Sequence, residues 1–449
     1  TLVVPDRVTL SGIYVEIEGT IQGMRHLVLG DGSTMDFEAS GSSVLGGTSH
    51  PFGTWDISSK FGESNVLTLV SLIIQDGSTL RLRQNSEMYA WNMTLGTSDD
   101  VTTTSTSTVE THYRSKWRTN RMVVNREGKV SGTMLGHGNY MDPPYTCRPH
   151  DRNIACRDNN QELSNRNPSI STDDVSVPNT YQYRSGMASR KPDGIGTWFP
   201  ARFPNQHAYI DDRRTAAGMS NNVVDAYKRM GYGGSHGGVG GYAFTWKETN
   251  DHHYLSGGDP PNNEQGGGML GYGSYKFPRT MGSSGSSGYN WDKIGGAGGA
   301  ALELRTASLE LHGVITMNGE AGDAASTYVG PGGGAGGSVL LRIDESYSGS
   351  GSISANGGNG GTATYKGGGG GGGRISIQCG ASGQLGAAVP SMTAFGGEGW
   401  QDTADGKWGG GACGSAGTVY RNCPKNGTDW QDYLLLDNNN CKATQPTYI

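Results

Sequence analysis

The sequence predicts an all-β protein, a right-handed parallel β-helix (solenoid) with an irregular, partly inserted middle region. Three observations support this class: short segments of strict apolar–polar alternation, internal repeats 36–45 residues long, and glycine tracts between the repeats. The chain has 449 residues, of which 76 are glycine, and 34% of its residues are hydrophobic. That apolar share is low for a close-packed globular enzyme, whereas a stack of short coils buries only a narrow core.

Residues 1–111 are predicted to form strand-rich β-helical coils. Residues 27–37 (LVLGDGSTMDF) are repeated 45 residues later at 72–82 (LIIQDGSTLRL). In each copy an apolar run meets an Asp-Gly turn, and alternation follows, which places one side of a strand in a core. Residues 8–19 show the same period of two, and no long segment of this zone has helical periodicity.

Residues 112–230 are predicted to be a basic, irregular insertion or loop region. Residues 113–230 contain 18 Lys and Arg against 11 Asp and Glu, although the whole chain has a net charge of −6. The zone contains the one predicted helix, 221–230, with Ser220 as its N-cap and Gly231 as its stop.

Residues 231–449 are predicted to form glycine-rich β-helical repeats with a Cys-containing tail, and 231–420 hold 55 of the 76 glycines. One strand module at 298–305 aligns with 336–343, 38 residues on, and has further copies at 372–377 and 417–421. A second module recurs at 313–319, 351–357 and 391–397. Glycine is expected at the sharp corners between such strands, and two strands per repeat do not fill a propeller blade.

Several glycine-rich motifs follow one another in a recognisable order: 233–241 (GGSHGGVGG), 272–278, 282–285, 353–360, 367–377, 417–420 and 434–439. This order resembles the glycine-rich parallel β-helix segments of large extracellular and surface proteins of protists, early-branching animals and bacteria. The resemblance covers roughly residues 231–440. It implies a right-handed parallel β-helix with a surface or matrix role, and it brings no catalytic residues.

The six cysteines predict disulfides, because their number is even and no CxxC pair suggests a zinc site. They are Cys147, Cys156, Cys379, Cys413, Cys423 and Cys441. Short loops favour the pairs Cys147–Cys156 and Cys423–Cys441, which leaves Cys379–Cys413. Disulfides indicate an oxidising compartment, so the expected location is extracellular or at the cell surface.

Candidate glycosylation sites agree with that location. Asn92 and Asn426 begin Asn-X-Thr sequons and are predicted N-glycosylation sites. A hydroxyl run supplies the O-glycosylation candidates, with a β-strand or an exposed linker as the alternative interpretation: Thr102, Thr103, Thr104, Ser105, Thr106, Ser107 and Thr108.

No cofactor or metal is predicted. GxGxxG patterns arise by chance at this glycine density, and the strand, helix and acidic residue of a dinucleotide site are missing. The glycine repeats lack the aspartates of a calcium-binding nonapeptide, and Asp402 and Asp405 are interpreted as turn residues. His236 is expected to hydrogen bond with the backbone rather than to bind a metal.

The function that these features favour is an extracellular structural glycoprotein, a building unit of a surface filament, hair-like appendage or matrix. Its expected partners are other copies of itself and glycans, with no nucleic acid and no membrane span. Assembly is predicted to use the extended apolar termini, namely Leu2, Val3, Val4, Tyr448 and Ile449.

Two alternatives stay open. One is a polysaccharide lyase or hydrolase, with its candidate groups at His207, Asp211, Asp212, Arg213 and Arg214, and at Asp251, His252 and His253. The other is a glycan-binding adhesin that uses exposed aromatic residues such as Tyr181, Trp198, Tyr242 and Trp400.

Overall fold

Two long, mostly parallel strand ladders form the computed structural model of the chain, and every regular element among the described residues is a strand. The predicted all-β class with stacked parallel strands is therefore confirmed. The structure describes residues 2–17, 21–37, 44–45, 65–82, 86–97, 105–136, 233–241, 273–283, 285, 295–324, 330–363, 366–380, 384–385, 389–399, 412–425, 429–441, 447 and 449.

The first ladder runs the length of the molecule. Its strands are β2 (Arg7–Ser11), β5 (His26–Gly30), β7 (Val44–Leu45), β8 (Asn65–Ile74), β10 (Ser86–Leu95), β12 (Arg114–Val124), β14 (Ala301–Leu311), β16 (Ser338–Ser348), β18 (Arg374–Cys379), β19 (Gln384–Leu385), β21 (Thr418–Lys425) and β22 (Asp429–Leu435). All neighbours pair in parallel except β22, which is antiparallel to β21. In the long strands the pairing skips one residue midway, at Trp91, Asn120 and Ala307.

The second ladder takes one strand from each coil. It consists of β3 (Tyr14–Ile17), β6 (Thr34–Phe37), β9 (Thr79–Leu82), β11 (Ser107–Thr111), β13 (Gly128–Ser131), β15 (Val314–Thr316), β17 (Ser352–Ser354) and β20 (Ser391–Thr393). A separate two-stranded pair joins β1 (Leu2–Val3) to β4 (Ile21–Gln22).

The observed register agrees with most of the sequence repeats. Leu27 pairs with Leu72 and Met35 with Leu80, which is the predicted spacing of 45. The predicted 38-residue alignment of β14 with β16 is wrong by one residue, because Leu302 pairs with Val339 rather than with Leu340. Val339, Leu340 and Leu341 are all apolar and all buried, so alternation did not reveal the phase of this strand.

The hydrophobic core lies between the ladders, where alternate residues of successive strands stack in register. One column in the second ladder contains Met35, Leu80, Val109, Val130, Ile315 and Ile353, all essentially inaccessible to solvent. Parallel strands about 4.8 Å apart bring such side chains into contact from coil to coil.

The predicted boundary between residues 111 and 112 falls inside the ladders. β12 pairs with β10 on one side and with β14 on the other, and β13 continues the second ladder. The coils therefore extend at least to Ser131, and the insertion follows them. The predicted helix at 221–230 lies outside the described residues.

Candidate functional site

After Gly295 each coil adds a pair of extended glycine-rich segments beside the ladders. Outgoing segments follow the strands of the second ladder, at 317–323, 355–361 and 394–398. Returning segments lead into the strands of the first ladder, at 295–300, 330–337, 366–373 and 412–417. We call these segments, together with the covering segments defined below, the glycine lattice.

The hydrogen bonds of the lattice recur at every third residue. In the central returning segment, the N–H groups of Gly369 and Gly372 donate to Ala412 and Ser415, and those of Gly370 and Gly373 donate to Gly358 and Ala355. These N···O distances are 2.7–3.0 Å. A period of three matches polyproline II-type segments with three residues per turn. Successive peptide groups therefore point to different neighbours, and the main chain bonds in several directions.

Covering segments from the inserted part of the chain complete the lattice. They are residues 233–241 and 280–283 with Gly285. Gly371 donates to Gly234, while Gly238 and Gly241 donate to Gly372 and Gly369. Gly282 and Gly285 donate to Gly299 and Gly296. These covering segments are thus joined to the returning segments by main-chain hydrogen bonds.

Glycine is required in the lattice by close approach of the main chains. A Cβ on Gly370 would overlap the carbonyl oxygen of Gly334, and a Cβ on Gly371 would overlap that of Gly238. Neither glycine has a positive φ. The prediction that the tract glycines form corners is therefore wrong, because they lie in extended segments. Positive φ does occur in the predicted Asp-Gly turns, at Gly32 (75°) and Gly77 (77°).

Asparagine side chains fix the points where outgoing segments begin. The Oδ1 atoms of Asn318 and Asn356 accept hydrogen bonds from the N–H groups of Asn356 and Phe395, each at 2.8 Å. The pattern links adjacent coils and satisfies main-chain donors at the exit from the strands.

His236 joins a covering segment to a returning one. Its Nδ1 lies 2.7 Å from the carbonyl oxygen of Gly336, which confirms the predicted hydrogen bond to the backbone. Because a carbonyl only accepts, Nδ1 carries a proton, and Nε2 forms a hydrogen bond with Thr280 Oγ1 at 2.7 Å. His236 and neighbouring Ser338 are fully buried, so this cluster is closed to a substrate and serves packing.

The two ends of the ladders differ. At the N-terminal end β2 and β3 are edge strands, and their inward side chains Val8, Leu10 and Ile17 are only partly buried. Large apolar side chains are exposed there, including Val3 (74%) and Tyr14 (58%). This end presents main-chain edges and apolar surface together.

At the C-terminal end β22 covers β21. Arg421 occupies the column that Leu304, Leu341 and Ile377 fill in earlier coils. Its guanidinium lies 5.3 Å from the ring centroid of Tyr433 on β22. An inward charge and an antiparallel strand end the ladder, although Leu434, Leu436 and Ile449 stay exposed.

Two disulfides reinforce this end and correct the predicted pairing. Cys379 is bonded to Cys423, and Cys413 to Cys441. Loop length does not determine the pairing, because the stacking of strands, not sequence distance, brings β18 beside β21. Cys147 and Cys156 lie outside the described residues.

The predicted modification and assembly residues fall in different environments. Asn92 is exposed on β10, whereas Asn426 and Thr102–Thr104 lie outside the described residues. Ser107 is fully buried in β11, so it is excluded as an O-glycan acceptor, while Ser105 and Thr106 are exposed.

Some of the predicted assembly residues already contact other parts of the same chain. Leu2 and Val3 pair with β4, and Val4 packs against the core. Tyr448 is outside the described residues. The exposed fraction of Ile449 is 68%.

The residues proposed for catalysis, from His207 to Arg214 and from Asp251 to His253, lie outside the described residues, as do the aromatic residues of the adhesin alternative. On the outer face of the second ladder, Arg81 binds Glu110 at 2.9 Å and lies 3.9 Å from Asp36. Both carboxylates thus have a cationic neighbour. Within the described segments, no group of three or more His, Cys, Asp or Glu side chains is placed to hold a metal ion.

Comparison with protein-family models, curated proteins and solved structures found no match to this chain. Among the described residues there is no helix long and apolar enough to cross a membrane.

Proposed function

We propose that this chain is an extracellular structural glycoprotein, a building unit of a surface filament, hair-like appendage or matrix. The observation that carries the proposal is the glycine lattice. Its segments are joined mainly by main-chain hydrogen bonds, and its glycines approach neighbouring carbonyl oxygens closely. Such an arrangement provides stiffness, because moving one segment breaks hydrogen bonds to several others.

The proposal includes a right-handed parallel β-helix. Parallel strands joined by crossover connections are right-handed in the great majority of proteins, and each coil here supplies one strand to each ladder in turn. An extracellular location is supported by the two disulfides and by the exposure of Asn92 within its sequon. Mass spectrometry of the native protein tests the glycan at Asn92.

Assembly in this proposal uses the ends of the ladders. Of the exposed large apolar side chains among the described residues, Val3, Ile13 and Tyr14 lie at one end and Tyr433, Leu434, Leu436 and Ile449 at the other. End-to-end contact buries this surface and does not close on itself, so it produces a filament.

Electron microscopy of purified native material tests this function, and filaments or regular arrays are the expected result. Val3→Asp and Leu436→Asp are expected to shorten or abolish them without changing the melting temperature, because both side chains are exposed. Met134→Asp is the matched control, because Met134 is 39% exposed, lies away from both ends, and has a positive φ that Asp tolerates. Discrete monomers in every native preparation would contradict the proposal.

A further inference from the structure

The outer face of the first ladder carries a row of arginines. Arg118 on β12 is in register with Arg305 on β14, which is in register with Arg342 on β16. Neighbouring strands are about 4.8 Å apart. Three arginine Cα positions therefore follow one another across the strands at a regular interval. We call this row the arginine ladder.

Carboxylates beside the arginine ladder are shared among its cations. Arg305 Nε lies 3.2 Å from Asp344, and Glu303 is shared between Arg279 at 2.9 Å and Arg342 at 3.7 Å. In the same area Lys116 lies 3.6 Å from Glu87. Glu303 thus lies beside two cations, and Asp344 lies beside Arg305 and also acts on Arg118.

The arginines of the ladder affect one another. Burial lowers the pKa of Arg118 and the positive charge of Arg305 lowers it further, while the negative charge of Asp344 acts in the opposite direction. Stacked like charges raise the free energy of this face, and an anion placed across the row relieves that cost. The side chains are accessible, since 43% of Arg305 and 32% of Arg342 are exposed.

Aromatic rings flank the row. Phe277 lies in a strap, residues 273–280, that crosses the outer face, and its ring centroid is 5.8 Å from the guanidinium carbon of Arg342. Phe277 is 49% exposed. At the other end, Trp91 (36% exposed) lies two residues after Tyr89, the register partner of Arg118. Exposed aromatic faces are apolar surfaces on which sugar rings can pack.

We propose that the arginine ladder binds an acidic polysaccharide, laid across the strands with its charged groups on Arg118, Arg305 and Arg342 and sugar rings against Phe277 and Trp91. This binding goes beyond the structural role and does not depend on filament formation. A polymer fits better than a single anion, because the arginines repeat at a regular interval. Carboxylate and sulfate share the chemistry that the guanidinium groups recognise.

The test is binding of the full-length protein to immobilised polygalacturonate and to dextran sulfate, with neutral dextran as a blank. We expect retention on at least one acidic polymer, weakened as salt rises, and none on dextran. The polymer retained at the higher salt concentration identifies carboxylate or sulfate as the preferred group. Absence of binding to both polymers overturns the proposal.

Variants locate the site. The double variant Arg118→Gln/Arg305→Gln is expected to lose at least tenfold in affinity, and Phe277→Ala to lose less. Arg121→Gln is the matched control, because Arg121 lies on the same strand beyond the skipped residue and is paired with Glu310 at 3.6 Å. An equal loss in the control contradicts the assignment.

If the double variant does not fold, Arg305→Gln alone gives the same test, since 43% of this side chain is exposed, against 32% of Arg342. Equally tight binding of oligothymidylate at the same salt concentration contradicts the choice of a polysaccharide. Such a result would mean that the row recognises charge without the sugar.

Discussion

The coils before Gly132 and the coils after Gly295 share one ladder register but fill the adjoining space differently. In the column that runs from Met35 through Leu80 and Val109 to Ile315, the side chain changes in size and shape from coil to coil. In the glycine lattice, main chain meets main chain, and the distance between segments is fixed by hydrogen bonds. A side-chain core adapts to substitution, whereas a main-chain lattice accepts no side chain at its contacts.

The two regions also differ in their covalent cross-links. Both described disulfides lie after residue 378, in the last coils and the tail that covers the lattice. Glycine loses more conformational entropy on folding than other residues, and each main-chain hydrogen bond contributes only about 1 kcal/mol net. We infer that the lattice needs these cross-links, while the earlier coils depend on buried aliphatic side chains.

Removal of the Cys379–Cys423 disulfide is expected to cause the largest loss of stability among the variants considered. It closes a loop of 44 residues, for which the chain-entropy model gives about 4 kcal/mol. Cys379→Ala/Cys423→Ala should lower the melting temperature, and hydrogen exchange should accelerate in β18 and β21 before β8 and β9. Uniform acceleration along the chain would contradict the division into two regions. Cys413→Ala/Cys441→Ala, with a separation of 28, is the comparison and should cost slightly less.

Leu80→Ala tests the side-chain core. Leu80 is completely buried between Met35 and Val109, and the cavity left by its side chain is expected to cost about 3 kcal/mol of unfolding free energy. Chemical denaturation measures the loss. Leu80→Met preserves most of the volume and should cost less than about 1.5 kcal/mol. If both variants are equally destabilised, the core does not adapt as we infer.

Gly370→Ala applies the opposite change, one added methyl group, to the lattice. Overpacking against the carbonyl of Gly334 is expected to cost about 3 kcal/mol, and the lower entropy of the unfolded chain returns about 1 kcal/mol. The net loss of about 2 kcal/mol is measured by denaturation. Gly380→Ala is the control and should cost less, because a Cβ there would lie 3.2 Å from the main chain of Asp344, a contact that a small shift relieves, and its φ is not positive. A similar loss in both variants would show that glycine content, not close approach, matters.

Much of the ladder architecture was predictable from the sequence. The apolar–polar alternation shows which side of a strand faces the core, and the spacing of the repeats shows which residues of neighbouring strands pair. The Asp-Gly repeats at 27–37 and 72–82 specify both the turn and the coil-to-coil alignment, and the structure reproduces them. Where three consecutive residues are apolar, as at Val339–Leu341, the period of two disappears, and the alignment slipped by one residue. The apolar–polar alternation of a strand is lost when a residue on its outward face is also buried, because that residue is then apolar too.

The lattice and the disulfides were not predictable by the same means. Glycine is compatible with both a turn and an extended segment, so its abundance did not distinguish a corner from a contact between main chains. The disulfide partners depend on which coils stack, and loop length alone gives no information on that. Recognition of the arginine ladder requires the correct register, because the predicted 38-residue alignment places Arg305 opposite Ile343, whereas the structure pairs it with Arg342.

Asn356→Ala tests the connection between the side-chain core and the glycine lattice. It should cause the smallest loss of unfolding free energy. The side chain is partly exposed, and its Oδ1 accepts the N–H of Phe395 at 2.8 Å as the chain leaves β20. Loss of that acceptor should cost about 1 kcal/mol and accelerate amide exchange at Phe395. Asn356→Asp retains an acceptor oxygen and is expected to restore protection. If amide exchange at Phe395 stays slow in the alanine variant, water or another group accepts this hydrogen bond. Asn356 is then not required at the start of the outgoing segment.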